Sequence, residues 1–243
     1  IFSSLSGKLQ ACNLGCIRGE RKVYTGINIT LKPGESLIIS GPNGSGKSSL
    51  LRILSGLLKP SKGELLWQGE SVFQNIEGYR PLLNFVGHSD CIKPSMTVSE
   101  HLIFWSKLRG GQSSVEEALE KTDLLNLAQT PGRFLSAGQK KRVSLARLLT
   151  SGAPLWFLDE PTVTLDSESE KILEDLILKH RSCEGIVVVA THSNFKIDKA
   201  HKLNMGSHIM SESNLSQSKL TSYPVSYTHL RAHETLRYLV CRL

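Results

Sequence analysis

No run of about 18 apolar residues occurs anywhere in the 243-residue chain, so no segment reads as a membrane-spanning helix. Ile1 to Gln10 lack the basic-then-apolar plan of a secretory signal, and the expectation is a protein that meets a membrane only through a partner. Cysteine is scarce. The five residues, Cys12, Cys16, Cys91, Cys183 and Cys241, are odd in number and widely scattered, which suits a reducing compartment better than a disulfide framework. The CNLGC segment at 12–16 has neither the two-residue gap nor the following His of a covalent haem attachment site, so both cysteines read as ordinary strand or buried residues.

Basic charge is present without concentration. A formal charge of +7 tolerates anionic partners but names none, and the one tight basic cluster, Lys140, Lys141 and Arg142, has another explanation below. No nucleic-acid partner is expected. Residues 225–243, VSYTHLRAHETLRYLVCRL, follow a Ser, Asn and Gln rich linker over 211–224 and resemble a translated adapter sequence. They read as a non-native tail and contribute three Arg against one Glu to the net charge.

At 40% hydrophobic, the chain can fill one core and carry a smaller attached subdomain. Apolar, β-branched runs recur: SLIIS at 36–40, NFV at 84–86, LWFLD at 155–159 and GIVVVA at 185–190. Strands apolar on both faces are expected in a mostly parallel sheet covered by helices. Between the second and third of these runs the chain reads helical throughout. Its start signals are TVSE at 97–100 and SVEE at 114–117, each the pattern of a capping box. The consequence is an α/β core with an inserted helical subdomain. The division is 1–87 and 146–210 for the two parts of the core and 88–145 for the insert.

GPNGSGKS at 41–48 sits between the strand SLIIS and the helical run SLLRILSGLL, the context that makes such a glycine loop a phosphate cradle. Gly41, Gly44 and Gly46, with Pro42, Asn43 and Ser45 between them, let the backbone turn its amides inward, and the helix start adds its positive end. Lys47 is placed to reach the β and γ phosphates and Ser48 to hold Mg²⁺. Ser49 closes the edge of the cradle, although with Leu50 it reads first as a helix residue. LWFLDEP supplies a carboxylate pair at a strand end. Asp159 is placed to hold the magnesium, directly or through water, and Glu160 to polarise an attacking water as general base. These residues define a nucleotide hydrolase.

LSAGQKKRVSLARLL at 135–149 discriminates further. Ser136 and Gln139 fit a capping box, so Ser136, Ala137 and Gly138 lie at the mouth of a helix whose open amides attract an anion. Val143, Leu145, Leu148 and Leu149 recur at helical spacing. Lys140, Lys141 and Arg142 then read as phosphate-side electrostatics and a solvated helix face.

Together these stretches resemble the ATP-binding subunits of ATP-binding cassette transporters: Walker A at 41–48, the signature at 135–139, Walker B at 155–160, a D-loop at 164–166 and a switch histidine, His192. The resemblance implies a P-loop NTPase core with antiparallel edge strands beside the parallel sheet, ATP and Mg²⁺ as ligands, and head-to-tail pairing with a second cassette. Ser136, Gly138 and Gln139 of one copy would meet the γ-phosphate held by the other. Asp166 would connect the two sites, and His192 would contact the γ-phosphate and steady Glu160. Two positions depart from the family pattern. Arg18 stands where an adenine-stacking aromatic is usual, with Tyr24 too late in the chain to substitute easily. His88 stands where a glutamine is usual, and three roles are open to it: contact with the magnesium or attacking water in a loop coupled to the transporter, a plain structural role, or a metal site of its own.

Within that family, CNLGCIRGERKVY, LLWQGESV, VGHSDCIKPSMTVSEHLIFW and APLWFLDEP are similar to the ATP-binding subunit of cytochrome c maturation systems, described as a haem exporter. This closer resemblance implies a peripheral subunit on the cytoplasmic face of a bacterial inner membrane, or the matrix face of a mitochondrial one. Its partners would be small integral subunits of a haem-handling complex, and exposed Met, Trp and His side chains of the insert would form the docking surface.

Overall fold

The computed structural model describes residues 7–108 and 114–208; the linker and tail read from the sequence lie outside the described residues. In chain order the elements are β1 (Leu9–Arg18), β2 (Arg21–Leu31), β3 (Ser36–Ser40), α1 (Lys47–Leu54), β4 (Lys62–Trp67), β5 (Glu70–Ser71), α2 (Ile76–Tyr79) and β6 (Leu83–Val86). They continue with α3 (Val98–Leu108), α4 (Val115–Lys121), α5 (Ala137–Leu149), β7 (Leu155–Asp159), α6 (Ser167–Ser182), β8 (Ile186–Ala190) and β9 (His201–Asn204).

Two sheets form. One is parallel, with strand order β6-β7-β8-β3-β9, and the other antiparallel, with order β2-β1-β4-β5. The difference is written in the side chains. Every residue of β7 and β8 is buried, as expected of strands covered on both faces. Along β2, by contrast, Tyr24, Ile27, Ile29 and Leu31 are buried while Thr25, Asn28 and Thr30 are exposed, so only one face meets a core.

Alternation along β7 distributes its side chains between two cores. Leu155 and Phe157 join α1 residues Leu50, Leu51, Ile53 and Leu54 and the antiparallel sheet's Leu9, Leu14, Ile27 and Leu31. Trp156 and Leu158 point the other way, to α5 (Leu145, Leu148) and α6 (Leu173, Leu176, Ile177). Helix α1 therefore lies between the sheets, and its N-terminus opens where β3, β7 and β8 all end. A third cluster, Val98, Leu102, Ala118, Leu119, Val143 and Ala146 among its members, joins α3, α4 and α5. Helix α5 belongs to both of the last two clusters and ties the helical segment to the sheet.

The stretch after β6 is less helical than its sequence suggests. Among the described residues only α3, α4 and α5 are α-helices there, with single 3₁₀ turns at Leu125–Leu127 and Gly132–Phe134 and an irregular path before Val98. Pro94 and Pro131 interrupt helical hydrogen bonding, and the chain is instead held by a bridge between Thr97 and Pro131. Thr97 with Glu100 makes both bonds of a capping box, as does Ser136 with Gln139. Ser114 accepts from the Glu117 amide, but the Glu117 carboxylate pairs with Lys121 one turn later and leaves the box half made.

A buried histidine sits on the far side of the sheet. The His180 ring stacks on Trp156 with centroids 3.8 Å apart, and its Nε2 bonds the Pro154 carbonyl oxygen at 3.1 Å. Burial disfavours the imidazolium and pushes its pKa down to about 4. Because the unfolded chain takes up a proton near 6.5, the stability held by neutral His180 is complete above that pH. It is lost as pH falls towards 4, by roughly 3 kcal/mol at the limit. Urea unfolding between pH 7 and 4.5 should show a shallower loss of stability in His180→Gln than in the wild type; equal slopes would place the acid sensitivity elsewhere.

Candidate nucleotide site

The site begins with the loop that leaves β3. Gly41, Gly44 and Gly46 all take positive φ, at 142°, 78° and 97°, and fold the chain back so that the Ser45 amide bonds the Pro42 carbonyl oxygen. Helix α1 starts at Lys47 with no side-chain cap on its amides, which leaves donors and the helix dipole facing the cleft. The Lys47 side chain folds over the loop, where its ammonium donates to the carbonyl oxygens of Gly41 at 2.9 Å and Pro42 at 3.2 Å.

Ser48, one residue on, reaches across to the end of β7. Its hydroxyl donates to Asp159 Oδ1 at 3.0 Å. Asp159 is only 3% exposed, and burial raises its carboxyl above the ordinary range, while the Ser48 hydrogen bond, Arg52 and His88 act in the opposite direction. Two hard oxygen donors, one of them a carboxylate short of compensation in a buried position, suit a small divalent cation.

Glu160 turns away from Asp159 because its backbone is left-handed, with φ of 50°, a conformation held by its amide bonding the Ala190 carbonyl oxygen at 2.8 Å. The parallel register pairs Asp159 with Ala190, so the next residues of both strands leave the sheet side by side. Glu160 Oε1 lies 2.8 Å from His192 Nδ1. Its Oε2 accepts from Thr191 Oγ1 at 3.1 Å and from the His192 amide at 3.3 Å. Thr191 is fixed in turn by Ser193. A carboxylate gripped at both oxygens has little rotational freedom left.

These groups surround a cleft of about 530 Å³, within the range of small-molecule sites. Asn43, Gly44, Gly46, Lys47, Ser48 and Ser49 form its floor. His88, Glu160 and His192 form the wall at the sheet's end, and Arg18, Arg21 and Val23 the opposite wall. Gly41, Pro42 and Ser45 shape the loop from below. Tyr24 is 1% exposed and packs under Gly46, outside the cleft, so this wall carries two guanidinium groups, Arg18 and Arg21.

Other residues singled out in the sequence stand apart. Ser136, Gly138 and Gln139 lie at the start of α5, not on the cleft, with Gly138 beside the Thr164 carbonyl. Asp166 caps α6 by accepting from the Ser169 amide at 2.9 Å, and hydrogen bonding to Ser169, through its side chain first and its amide second, holds the Asp166 carboxyl below the usual range. The basic cluster needs correction. Lys141 is 2% exposed and points at the Gly87 carbonyl and Asp90, while Arg142 pairs with Asp123; neither forms the solvated face expected. The side chains expected to be exposed on the insert also differ. His101 is buried and bonds the Lys93 backbone, and Trp105 lies against Arg147, whereas Ile103, Phe104, Leu108, Leu125 and Phe134 are exposed large apolar side chains among the described residues of the insert. Thr191, Arg21 and Val23 escape the sequence reading. The position of Thr191 just before His192 is a usable signal for the first, and the hairpin pairing of Arg18 with Arg21 for the second; an isolated valine gives none.

The family model described as ABC transporter matches residues 24–163. The chain belongs to this family and is an ATP-binding cassette, an ATPase. Among relatives, it is 45% identical over 208 residues to the cytochrome c biogenesis ATP-binding export protein CcmA of Paramagnetospirillum magneticum, covering 83% of this chain and 95% of that protein. The protein of the same name from Rhodospirillum rubrum is 49% identical over 189 residues, 77% of this chain and 81% of the relative. An ABC transporter ATP-binding protein from Pyrococcus furiosus superposes with a TM-score of 0.73 at 25% identity, covering 84% of this chain and all of that one. Among the described residues no helix is long and apolar enough to cross a membrane.

Proposed function

We propose that this cassette hydrolyses ATP to power a membrane complex of cytochrome c maturation, one that handles haem or releases a haem-loaded chaperone. The reading is supported above all by its 45% identity to a cytochrome c biogenesis export protein over nearly that protein's whole length.

In the reaction, the loop amides over 41–48 and the Lys47 ammonium hold the β and γ phosphates, and Lys47 exchanges the Gly41 and Pro42 carbonyls for phosphate oxygens. Ser48 and Asp159, with His88 beside them, hold Mg²⁺, which neutralises charge on the phosphate oxygens when bound. Glu160 takes a proton from the attacking water as the water's oxygen closes on the γ-phosphorus and the bond to the β-γ bridging oxygen breaks. His192 fixes the orientation of Glu160 and contacts the γ-phosphate. Arg18, with Arg21 beside it on the same wall, stacks a guanidinium on the adenine.

Ser136, Gly138 and Gln139 do not line this cleft, and they complete the site of a second copy in a head-to-tail dimer, with Asp166 at the junction. In this reading residues 88–145 form the helical subdomain between the two parts of the core. Small integral subunits bring the cassette to the cytoplasmic face of the bacterial inner membrane, or to the matrix face of its mitochondrial counterpart.

Capture of the chain from gently solubilised membranes of its source, followed by mass spectrometry, tests the assignment. Small integral subunits together with a haem-handling protein are the expected companions. An unrelated permease would keep the ATPase and replace its pathway with that of another small solute, lipid or metal.

A further inference from the structure

The segment that brings His88 to the cleft has no secondary structure of its own after Val86. It is held from one side by α5. Arg147 donates from a terminal guanidinium nitrogen to the Phe85 carbonyl oxygen at 2.6 Å, and Lys141 Nζ lies 3.5 Å from the Gly87 carbonyl oxygen. Ser144 Oγ donates to Asp90, at 3.1 Å from its carbonyl oxygen and 3.3 Å from Oδ1. Positions 141, 144 and 147 are three apart and share one face of a helix. The three ties fall on residues 85, 87 and 90, so they bracket His88.

Lys141 is the unusual member. A lysine at 2% exposure is costly unless paired, and among the described residues the carboxylate within ion-pair distance is Asp90, at 3.9 Å. Burial works against its charge, while Asp90 and, at longer range, Asp159 and Glu160 support it. Poor screening makes such an interaction stronger than its length suggests. The same helix carries Ser136, Gly138 and Gln139 at its start, one turn before Lys141.

We infer that Lys141 and Ser144 are positioning residues for ATP hydrolysis: with Arg147 they form a rail along α5 that sets where His88 stands in the cleft. The inference rests on the reading of His88 as a site residue. It gives α5 two duties, one at its mouth and one along its flank. A displacement of the helix start would then be felt at His88 through side chains alone.

The test is a double-mutant cycle on the full chain, measured as steady-state ATP hydrolysis. Lys141→Met should lower kcat about tenfold with KM for ATP within about twofold, because the rail shapes the reacting geometry rather than nucleotide affinity. In a His88→Ala background the same substitution should change kcat less than about twofold, since the rail then has nothing to position. Ser144→Ala, which removes only a hydroxyl, should lower kcat by about threefold and show the same dependence on His88; it carries the test if Lys141→Met does not fold. Equal losses in both backgrounds would overturn the rail and leave the site intact. Full turnover in His88→Ala alone would remove His88 from the reaction, and the rail with it.

Discussion

Glu160→Gln is expected to lower steady-state ATP hydrolysis by about 10²–10³-fold while leaving nucleotide binding within a few-fold of the wild type. The amide keeps the shape of the side chain and one oxygen for Thr191 Oγ1 and the His192 amide. It cannot accept the proton of an attacking water. Because the left-handed backbone at Glu160 turns it away from Asp159, the substitution leaves the Ser48–Asp159 pair untouched. A fluorescent ATP analogue titrated against the variant, beside a phosphate-release assay, separates the two effects. Unchanged turnover would remove Glu160 as the base.

Gly46→Ala should be comparably severe and for a different reason: it should abolish measurable nucleotide binding, a loss of at least about 100-fold, or about 2.7 kcal/mol. Gly46 holds φ of 97°, and a Cβ there would stand 2.5 Å from Val23 Cγ1 and 3.0 Å from Tyr24 Cδ1. Tyr24 is locked in the core and cannot yield, so the loop must shift and its amides lose their common focus. Gly44 is the control. It too is left-handed, at φ of 78°, but a Cβ would meet nothing within 4 Å. Gly44→Ala should therefore cost only the backbone preference, about 1–2 kcal/mol. Isothermal titration of the two variants with ATP would distinguish a steric cause from a conformational one; equal losses would indicate that the left-handed backbone alone decides.

The strands that line up the site are the easiest to read. SLIIS coincides with β3, and NFV and GIVVVA lie within a residue of β6 and β8, because a strand covered on both faces is mostly apolar. Strand β9, HKLN, carries no such signature: it is mostly exposed, at the sheet's edge, and pairs with β3 through its backbone. The phosphate loop is legible because its chemistry is local, with glycines, lysine and serine within eight positions. Glu160 and His192 can each be placed at a strand end, but the grip of Thr191 on the carboxylate depends on a register between β7 and β8 that no local pattern records. Lys141 shows the opposite failure. A basic run is normally solvated, and only the return of the chain at Gly87 and Asp90 makes one of its three members a buried tie.

The pairing of Asp159 with Ala190 sets a limit on what the chain can lose. Between those residues lie α6 and its connections, where added or missing residues would be absorbed by turns at the surface. Within β7 or β8 there is no such slack. Deleting one residue there would leave the phosphate loop, Lys47 and Ser48 whole, yet carry His192 and Thr191 a full step along the sheet, away from Glu160. The nucleotide would still find its cradle, and the molecule would become a holder of ATP with no means of spending it. The sheet is thus the ruler of this enzyme, and its tolerance is less than one residue.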